Sequence, residues 1–391
     1  MSKEKARDTT PLSLTLGSRD PFEIGADLLT KYGSGIMKTG TQVVDRKTQL
    51  IGVAPNIDIA LGGGIPEGCF VLLAGDPKCG KTVTALMICK NAIDQGRNVY
   101  FLNVEGRLKR RDLLGIKGLD PDKIVVIGSF LEEEKDGKGG KVEGKILKGE
   151  EWIAIAEHFI HNDPGCVVVV DSFSQIATEK EHNIDIGQVA GDGGYRLLAQ
   201  FTKRVATVLP VNRVTVIGIQ HLIANTRAKM NQKQKGRSGG RKIGYAVDVD
   251  LECTHIELMK ASSADDADIV GQKVNWVTKS TAIVAPHKKF QSTIRYGIGI
   301  DEVYELMELG QQTGFITGSS WLTLDYMQYH LDLLGIDEWT VDKKGNPDKS
   351  FSSKVKVQGK EQMVKLLRDN PGYVAALKKE IYGMLGLEQE V

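Results

Sequence analysis

Two patterns of apolar positions alternate along this chain. Continuous apolar runs occur at 70–74 (FVLLA), 98–104 (NVYFLNV), 166–170 (CVVVV) and 214–219 (VTVIGI), and the stretches between them carry helical spacing. Strands apolar on both faces and separated by helices predict a parallel sheet covered on two sides. This α/β region spans about residues 46–300. Ahead of it, within a segment at 1–45, PFEIGADLLTKYG places Phe22, Ile24, Leu28, Leu29 and Tyr32 on one face of a helix closed by Gly33. So short a helix cannot stand alone, and its apolar face is expected to pack on its own core or on a neighbouring subunit. After Ile300 the pattern changes, predicting a separate small α/β domain at 301–391. The charged, glycine-rich stretch at 132–151 reads as a surface insertion.

Composition adds constraints. With 41% hydrophobic and 26% charged residues the chain is an ordinary folded protein. No run approaches ~20 apolar residues, and no apolar stretch follows a basic head at the start, so no membrane span or signal peptide is expected and the cytoplasm is. Cys69, Cys79, Cys89, Cys166 and Cys253 are never spaced as CxxC, which argues against disulfides and zinc and for small buried residues. His158 and His161 share a helical face without a third ligand and are set aside as structural. The net charge of +1 hides an asymmetry: residues 193–247 hold 11 Lys or Arg and no Asp or Glu.

The chemistry concentrates at strand ends. Gly75, Asp76, Pro77, Lys78, Cys79, Gly80, Lys81 and Thr82 satisfy GxxxxGK[ST], with a strand before and a helix, beginning with Val83, after. Glycine turns and an open helix N-terminus aim backbone N–H groups at a triphosphate, expected to be ATP. Lys81 supplies a charge to the β- and γ-phosphates and Thr82 a hydroxyl to Mg²⁺. Asp171 closes the CVVVV run, where a second ligand for Mg²⁺ belongs. Glu105 ends another strand and is a candidate to orient or deprotonate the attacking water, or else a surface glutamate. Gln220 ends a third and could bond a γ-phosphate, or be an ordinary strand-terminal residue.

Beyond Gln220, LIANTRAKMNQKQKGRSGGRKIGYA carries Arg227, Lys229, Lys233, Lys235, Arg237, Arg241 and Lys242, with Gly239 and Gly240 among them. A mobile cationic loop without aromatic platforms suits sequence-indifferent tracking of a single-stranded DNA backbone. A second loop at 179–196 contains Gly193 and Gly194, which would permit close approach to a strand, and Arg196.

The order of these islands resembles the RecA/RadA recombinases. KYGSGIMKTG and IDIALGGGIPEG are similar to the segments that precede the family's phosphate loop, and NVEGRL to the strand end carrying its catalytic glutamate, hence Glu105. VVVVDSFSQIA matches its metal-binding strand, hence Asp171 with Ser172, and IGIQHL the strand delivering a γ-phosphate-sensing glutamine, hence Gln220. RSGGRKIGYAVDVDLE, VTKSTAIVAPHKKFQSTIRYGIGI and GKEQMVKLLRDNPGYVAALKKEIYGML resemble the end of the second DNA loop, the last core strands and the C-terminal domain.

The resemblance implies an ATPase core with a mostly parallel central sheet, an N-terminal oligomerisation helix and a small α/β C-terminal domain. It implies ATP and Mg²⁺, a helical filament on single-stranded DNA, pairing with a homologous duplex, strand exchange, and loader or single-strand-binding proteins as further partners. A bacterial or phage-infected cytoplasm fits such a protein. The chain departs from the family in RLKRRDLL, where Arg110 or Arg111 replaces an adenine-stacking aromatic residue, and in keeping Lys279, but not a second lysine, towards a neighbour's γ-phosphate. The alternatives are a ring helicase or translocase with the same phosphate site, and a nucleotide-switched scaffold that would not need Glu105.

Overall fold

A computed structural model describes residues 20–129, 146–185, 193–224, 235–237, 247–261, 264 and 266–387. The chain forms two compact units, Met1–Thr48 and Gln49–Val391. In the first, the expected single helix is two: α1 (Pro21–Ile24) and α2 (Ala26–Tyr32), broken at Gly25, with α3 (Gly40–Val44) following. Asp20 caps α1 by accepting the Phe22 N–H at 2.9 Å. Glycine is a poor helix former, and the Met37 thioether packs where a Gly25 side chain would stand. Ile24, Leu28 and Tyr32 remain exposed.

The second unit opens with β1 (Leu50–Ile51) and β2 (Ile65–Pro66), an antiparallel pair flanking α4 (Pro55–Leu61). The main sheet comprises β3 (Phe70–Gly75), β4 (Val99–Asn103), β5 (Ile124–Ile127), β6 (Val167–Asp171), β7 (Thr215–Ala224), β8 (Lys235–Arg237), β9 (Val249–Lys260), β10 (Ile269–Thr281), β11 (Lys289–Arg295) and β12 (Gly299–Ile300). Their order is β12-β11-β10-β9-β3-β7-β6-β4-β5, with β8 paired to β7. Strands β9, β3, β7, β6, β4 and β5 are parallel, while β10, β11 and β12 continue the sheet antiparallel. The expected α/β fold with a mostly parallel central sheet is therefore what the chain forms.

Both faces are covered, as the doubly apolar strands require. Val71 and Leu73 of β3 pack with Leu86 and Ile88 of α5 (Lys81–Asp94). Phe70 and Leu72 point the other way, into a cluster with Trp152 and Ile153 of α7 (Gly149–Asn162) and Leu198 and Phe201 of α9 (Gly193–Val205). Between these lie the short α6 (Arg110–Leu114) and α8 (Glu179–His182), and α10 (Val208–Asn212) precedes β7. Helix α7 starts inside the stretch expected to be a surface insertion: Gly149 is buried and Glu151 closes a capping box on the Lys148 N–H at 3.0 Å. Residues 149–151 are thus part of the packed body, and most of the remaining stretch lies outside the described residues.

The rest of the unit comprises α11 (Glu302–Thr313), β13 (Ile316–Thr317), β14 (Trp321–Leu324), α12 (Leu331–Leu334), α13 (Lys349–Val355), β15 (Lys356–Gln358), α14 (Gly359–Asp369) and α15 (Pro371–Met384). The three strands make a separate antiparallel sheet over a core containing Tyr326, Phe351 and Leu377. Among the described residues no helix is long and apolar enough to cross a membrane.

Buried carboxyls tie this region to the large sheet. Glu305 of α11 accepts the main-chain N–H groups of Thr293 and Asn56 at 2.9 and 3.1 Å. Asp58 of α4 accepts the Val53 N–H at 2.7 Å and the Tyr382 hydroxyl of α15 at 3.2 Å. Burial outweighs these bonds and pushes Asp58 up to about 7 and Glu305 up to about 8. Both hold their protons more tightly folded than unfolded. The resulting stability is complete below their unfolded values and is lost as pH rises through about 7 for Asp58 and about 8 for Glu305. Asp58→Asn keeps the Val53 bond and can donate to Tyr382. Between about pH 5 and pH 8 the native chain should lose at most roughly 3 kcal/mol of stability relative to that variant, and its melting temperature should fall accordingly. Thermal melts at both pH values check this, and a constant difference would contradict it.

Candidate nucleotide site at the strand ends

Parallel pairing sets the ends of four strands side by side. Ala74 and Gly75 of β3 lie opposite Gln220 and His221 of β7, and Asn103 of β4 lies opposite Asp171 of β6. From β3 the chain turns through 76–80 into α5, with positive φ at Lys78 (64°) and Gly80 (90°). At Gly80 a Cβ would stand 2.3 Å from the Ile294 side chain, so both its conformation and its packing demand glycine.

The side chains that leave these ends meet. Lys81 is 4% exposed, and its ammonium donates to the carbonyls of Gly75 at 3.1 Å and Asp76 at 2.7 Å. An ammonium removed from water needs such partners. The Thr82 hydroxyl donates to Asp171 Oδ2 at 2.8 Å. Glu105 donates its N–H to the Asp171 carbonyl at 3.0 Å, and its Oε1 accepts from the Ser172 hydroxyl at 2.8 Å and pairs with His221 Nε2. The Asp171–Ser172 peptide is cis. Asn103 Oδ1 accepts the N–H groups of Arg107 and Leu108, shaping the turn that carries Glu105.

The two carboxyls differ in how readily they ionise. Burial pushes Asp171 up to about 6, helped by the charge of Glu105 and opposed by the Thr82 bond. For Glu105 burial acts the same way, but the His221 and Ser172 bonds outweigh it and hold the group below its usual range. A hydroxyl and a carboxylate, with a second carboxylate close enough to disfavour ionisation, form a hard oxygen set suited to Mg²⁺. The residues present fit that ion, and the N-terminus of α5 behind them fits a phosphate.

Other expected residues lie elsewhere. Arg110 and Arg111 are exposed on α6, Arg111 being 3.8 Å from Asp112. Lys279 on β10 is ion-paired with Glu252 on β9 at 2.9 Å. Gly193 and Gly194 direct their N–H groups to Glu181, and a Cβ on Gly194 would meet the Ile176 carbonyl oxygen at 2.2 Å. Gly193 approaches the Thr178 and Glu181 side chains of this chain, and Gly194 its backbone. Arg196 is exposed on α9. Strand β7 runs past the expected 214–219, and Leu222, Ile223 and Ala224 pair with Arg237, Gly236 and Lys235, so part of the expected loop is a hairpin. Arg227, Lys229, Lys233, Gly239, Gly240, Arg241 and Lys242 lie outside the described residues.

His221 was not singled out in the sequence, although it follows Gln220. Its main-chain N–H donates to Ser174 Oγ at 2.9 Å. Two cysteines also meet beside the loop: the Cys253 thiol bonds Cys79 and holds it below the ordinary thiol range, while Cys253 itself is pushed up. Nothing in their spacing of 174 positions signals that meeting.

Comparison with known proteins places this geometry in context. The model of the RecA N-terminal domain matches residues 143–301, which include Asp171, Gln220 and Lys279. Relatives named Protein RecA match nearly the whole chain. That of Saccharopolyspora erythraea is 26% identical over 377 residues, 94% of this chain and 92% of its own. That of Streptomyces coelicolor is 25% identical over 369 residues, 93% and 84% of the two chains. A Nocardioides protein is 26% identical over 365 residues, covering 93% and 90%.

The packing behind the site is testable at Gly218, where β7 passes the ring of Phe173, the residue after Ser172. A Cβ on Gly218 would lie 1.9 Å from that ring. Gly218→Ala is expected to cost roughly 1–3 kcal/mol through overpacking, and to weaken nucleotide binding by shifting Asp171, two residues before Phe173, away from Thr82. Thermal melts and nucleotide titration read the two effects, and an unchanged melting temperature would show that the ring has room.

Proposed function

From this similarity we propose that the chain is a RecA-family protein, a DNA-dependent ATPase that drives homologous recombination. The observation that carries this reading is the convergence of Lys81, the Thr82–Asp171 pair and Glu105 at adjacent strand ends. The loop 75–82 wraps a triphosphate with its N–H groups, and Lys81 exchanges the Gly75 and Asp76 carbonyls for phosphate oxygens. Thr82 and Asp171 hold Mg²⁺, which when bound neutralises phosphate charge. Glu105 orients the attacking water and accepts its proton, and Gln220 contacts the γ-phosphate. Arg110 or Arg111 stacks on the base, and Lys279 turns from Glu252 to the nucleotide of a neighbouring subunit.

The basic segment after β7, including Lys235 and Arg237 of β8, tracks the phosphates of single-stranded DNA, with Arg196 and the 179–196 segment as a second contact. Subunits assembled through the N-terminal segment form a filament with ATP at their junctions. Base pairing, rather than side chains, then reads homology in the incoming duplex.

In steady-state hydrolysis with single-stranded DNA, Glu105→Gln should lower turnover by about 10²-fold or more while ATP affinity stays nearly constant. Lys81→Ala should weaken ATP binding itself. Hydrolysis by Glu105→Gln at the native rate would assign the water to another group, and absence of joint molecules in a strand-exchange assay would sink the recombinase reading.

A further inference from the structure

The tip of the phosphate loop is held from a strand far away in sequence. Gln272 of β10 is buried, and its side-chain Nε2 donates to the Lys78 carbonyl at 3.2 Å, across 194 positions. Strand β9 lies between β10 and β3, the strand that carries the loop. We propose that Gln272 is a positioning residue for the nucleotide: it holds the Lys78 carbonyl away from the phosphates and so keeps the Cys79 N–H aimed at them. This rests on the reading of 75–82 as a triphosphate cradle.

Three features support the assignment. The first is the geometry of one peptide unit. The Lys78 carbonyl and the Cys79 N–H belong to the same planar trans peptide and point in opposite directions. Turning that unit over would present an oxygen to the anion in place of a donor. A cradle of main-chain N–H groups works only while they point inward, and a bond to the carbonyl on the outer side fixes the N–H on the inner one.

The second is the conformation that the bond secures. Lys78 has φ 64°, in the left-handed region that a residue with a Cβ seldom adopts. Its own side chain is exposed and adds no burial to hold it there. Such a conformation persists when the surroundings over-determine it. Gln272 grips the carbonyl, and the buried Cys79 thiol, 2.5 Å from where a Gly75 Cβ would stand, anchors the other end of the peptide.

The third is the surface beneath the loop. Gln272 lies opposite Ile294 of β11, and both meet the loop at Gly80. A Cβ there would stand 2.3 Å from the Ile294 side chain, 3.6 Å from Gln272 Nε2 and 3.7 Å from Val274. The amide therefore reaches Lys78 from a packed platform. Lys81 gives up the Gly75 and Asp76 carbonyls when it takes phosphate oxygens, whereas the Gln272 bond stays in place.

The test is equilibrium titration of the full chain with ATP and with ADP in Mg²⁺, beside steady-state hydrolysis with single-stranded DNA. Gln272→Met keeps the length of the side chain and removes the donor. Kd for both nucleotides should rise by about 3- to 10-fold, and KM for ATP with them, while kcat at saturating ATP stays within about twofold of native. A merely structural role would reduce the amount of active protein, lowering kcat at constant KM. That result, or an unchanged Kd, would overturn the proposal. If the native chain binds neither nucleotide, the reading of the loop falls and Gln272 with it; native binding that Gln272→Met leaves unaltered removes only the role of Gln272. If Gln272→Met does not fold, Gln272→Asn, whose amide is withdrawn from Lys78 by one methylene, should show the same rise, and a native Kd there overturns the proposal equally.

Discussion

Parallel hydrogen-bond register between β3, β7, β6 and β4 governs the rest of the molecule, because parallel strands deliver all their carboxyl ends to one edge of a sheet. Ala74 faces Gln220, and Asn103 faces Asp171. Groups separated by more than a hundred positions in sequence, such as Glu105 and His221, thereby come within bonding distance. Ligands in open α/β sheets bind at such edges for this reason. The same strands are apolar on both faces, so burial against α5 on one side and α7 and α9 on the other fixes the register that the chemistry needs.

Lys81, Thr82, Asp171 and Glu105 have each found a partner within the chain at that edge. Lys81 is bonded to the Gly75 and Asp76 carbonyls, Thr82 to Asp171, and Glu105 to Ser172 and His221. An unsatisfied buried polar group costs about 1–3 kcal/mol, a cost these contacts offset. They are also contacts a phosphate or a cation can replace. Asp58 and Glu305 show the contrasting use of buried carboxyls: Asp58 accepts the Val53 N–H and the Tyr382 hydroxyl, and Glu305 accepts two main-chain N–H groups, deep between α4, α11 and the sheet.

How much of this could be read in advance depended on whether the signal was local. The doubly apolar runs gave the strands of the parallel sheet, and the spacing from Gly75 to Thr82 marked the phosphate loop, because both are properties of consecutive residues. Asp171 and Glu105 were legible as polar residues ending apolar runs. Features that depend on partners were not. The helix at 21–33 has continuous helical periodicity, yet Gly25 breaks it against Met37. Nothing in LIANTR announces that β7 continues, since its partner Lys235–Arg237 lies beyond it in sequence. Gly193 and Gly194 signal close approach, but not that the approaching group is Ile176 or Thr178. His221 and the meeting of Cys79 with Cys253 arise only once β7 and β9 flank β3.

The two flanks of β3 carry different costs of rearrangement. On the β9 side, Lys279 and Glu252 form an ion pair whose side chains are 31% and 19% exposed. A pair so open to water is worth roughly 0–1 kcal/mol, so a new partner for Lys279 need offer little to displace Glu252. On the β7 side, Glu105 is only 11% exposed, and its bonds to Ser172 and His221 are charge-assisted and stronger than neutral ones. One flank of the strand therefore carries a pair that exchanges partners at little cost, and the other a carboxylate that its partners hold firmly in place.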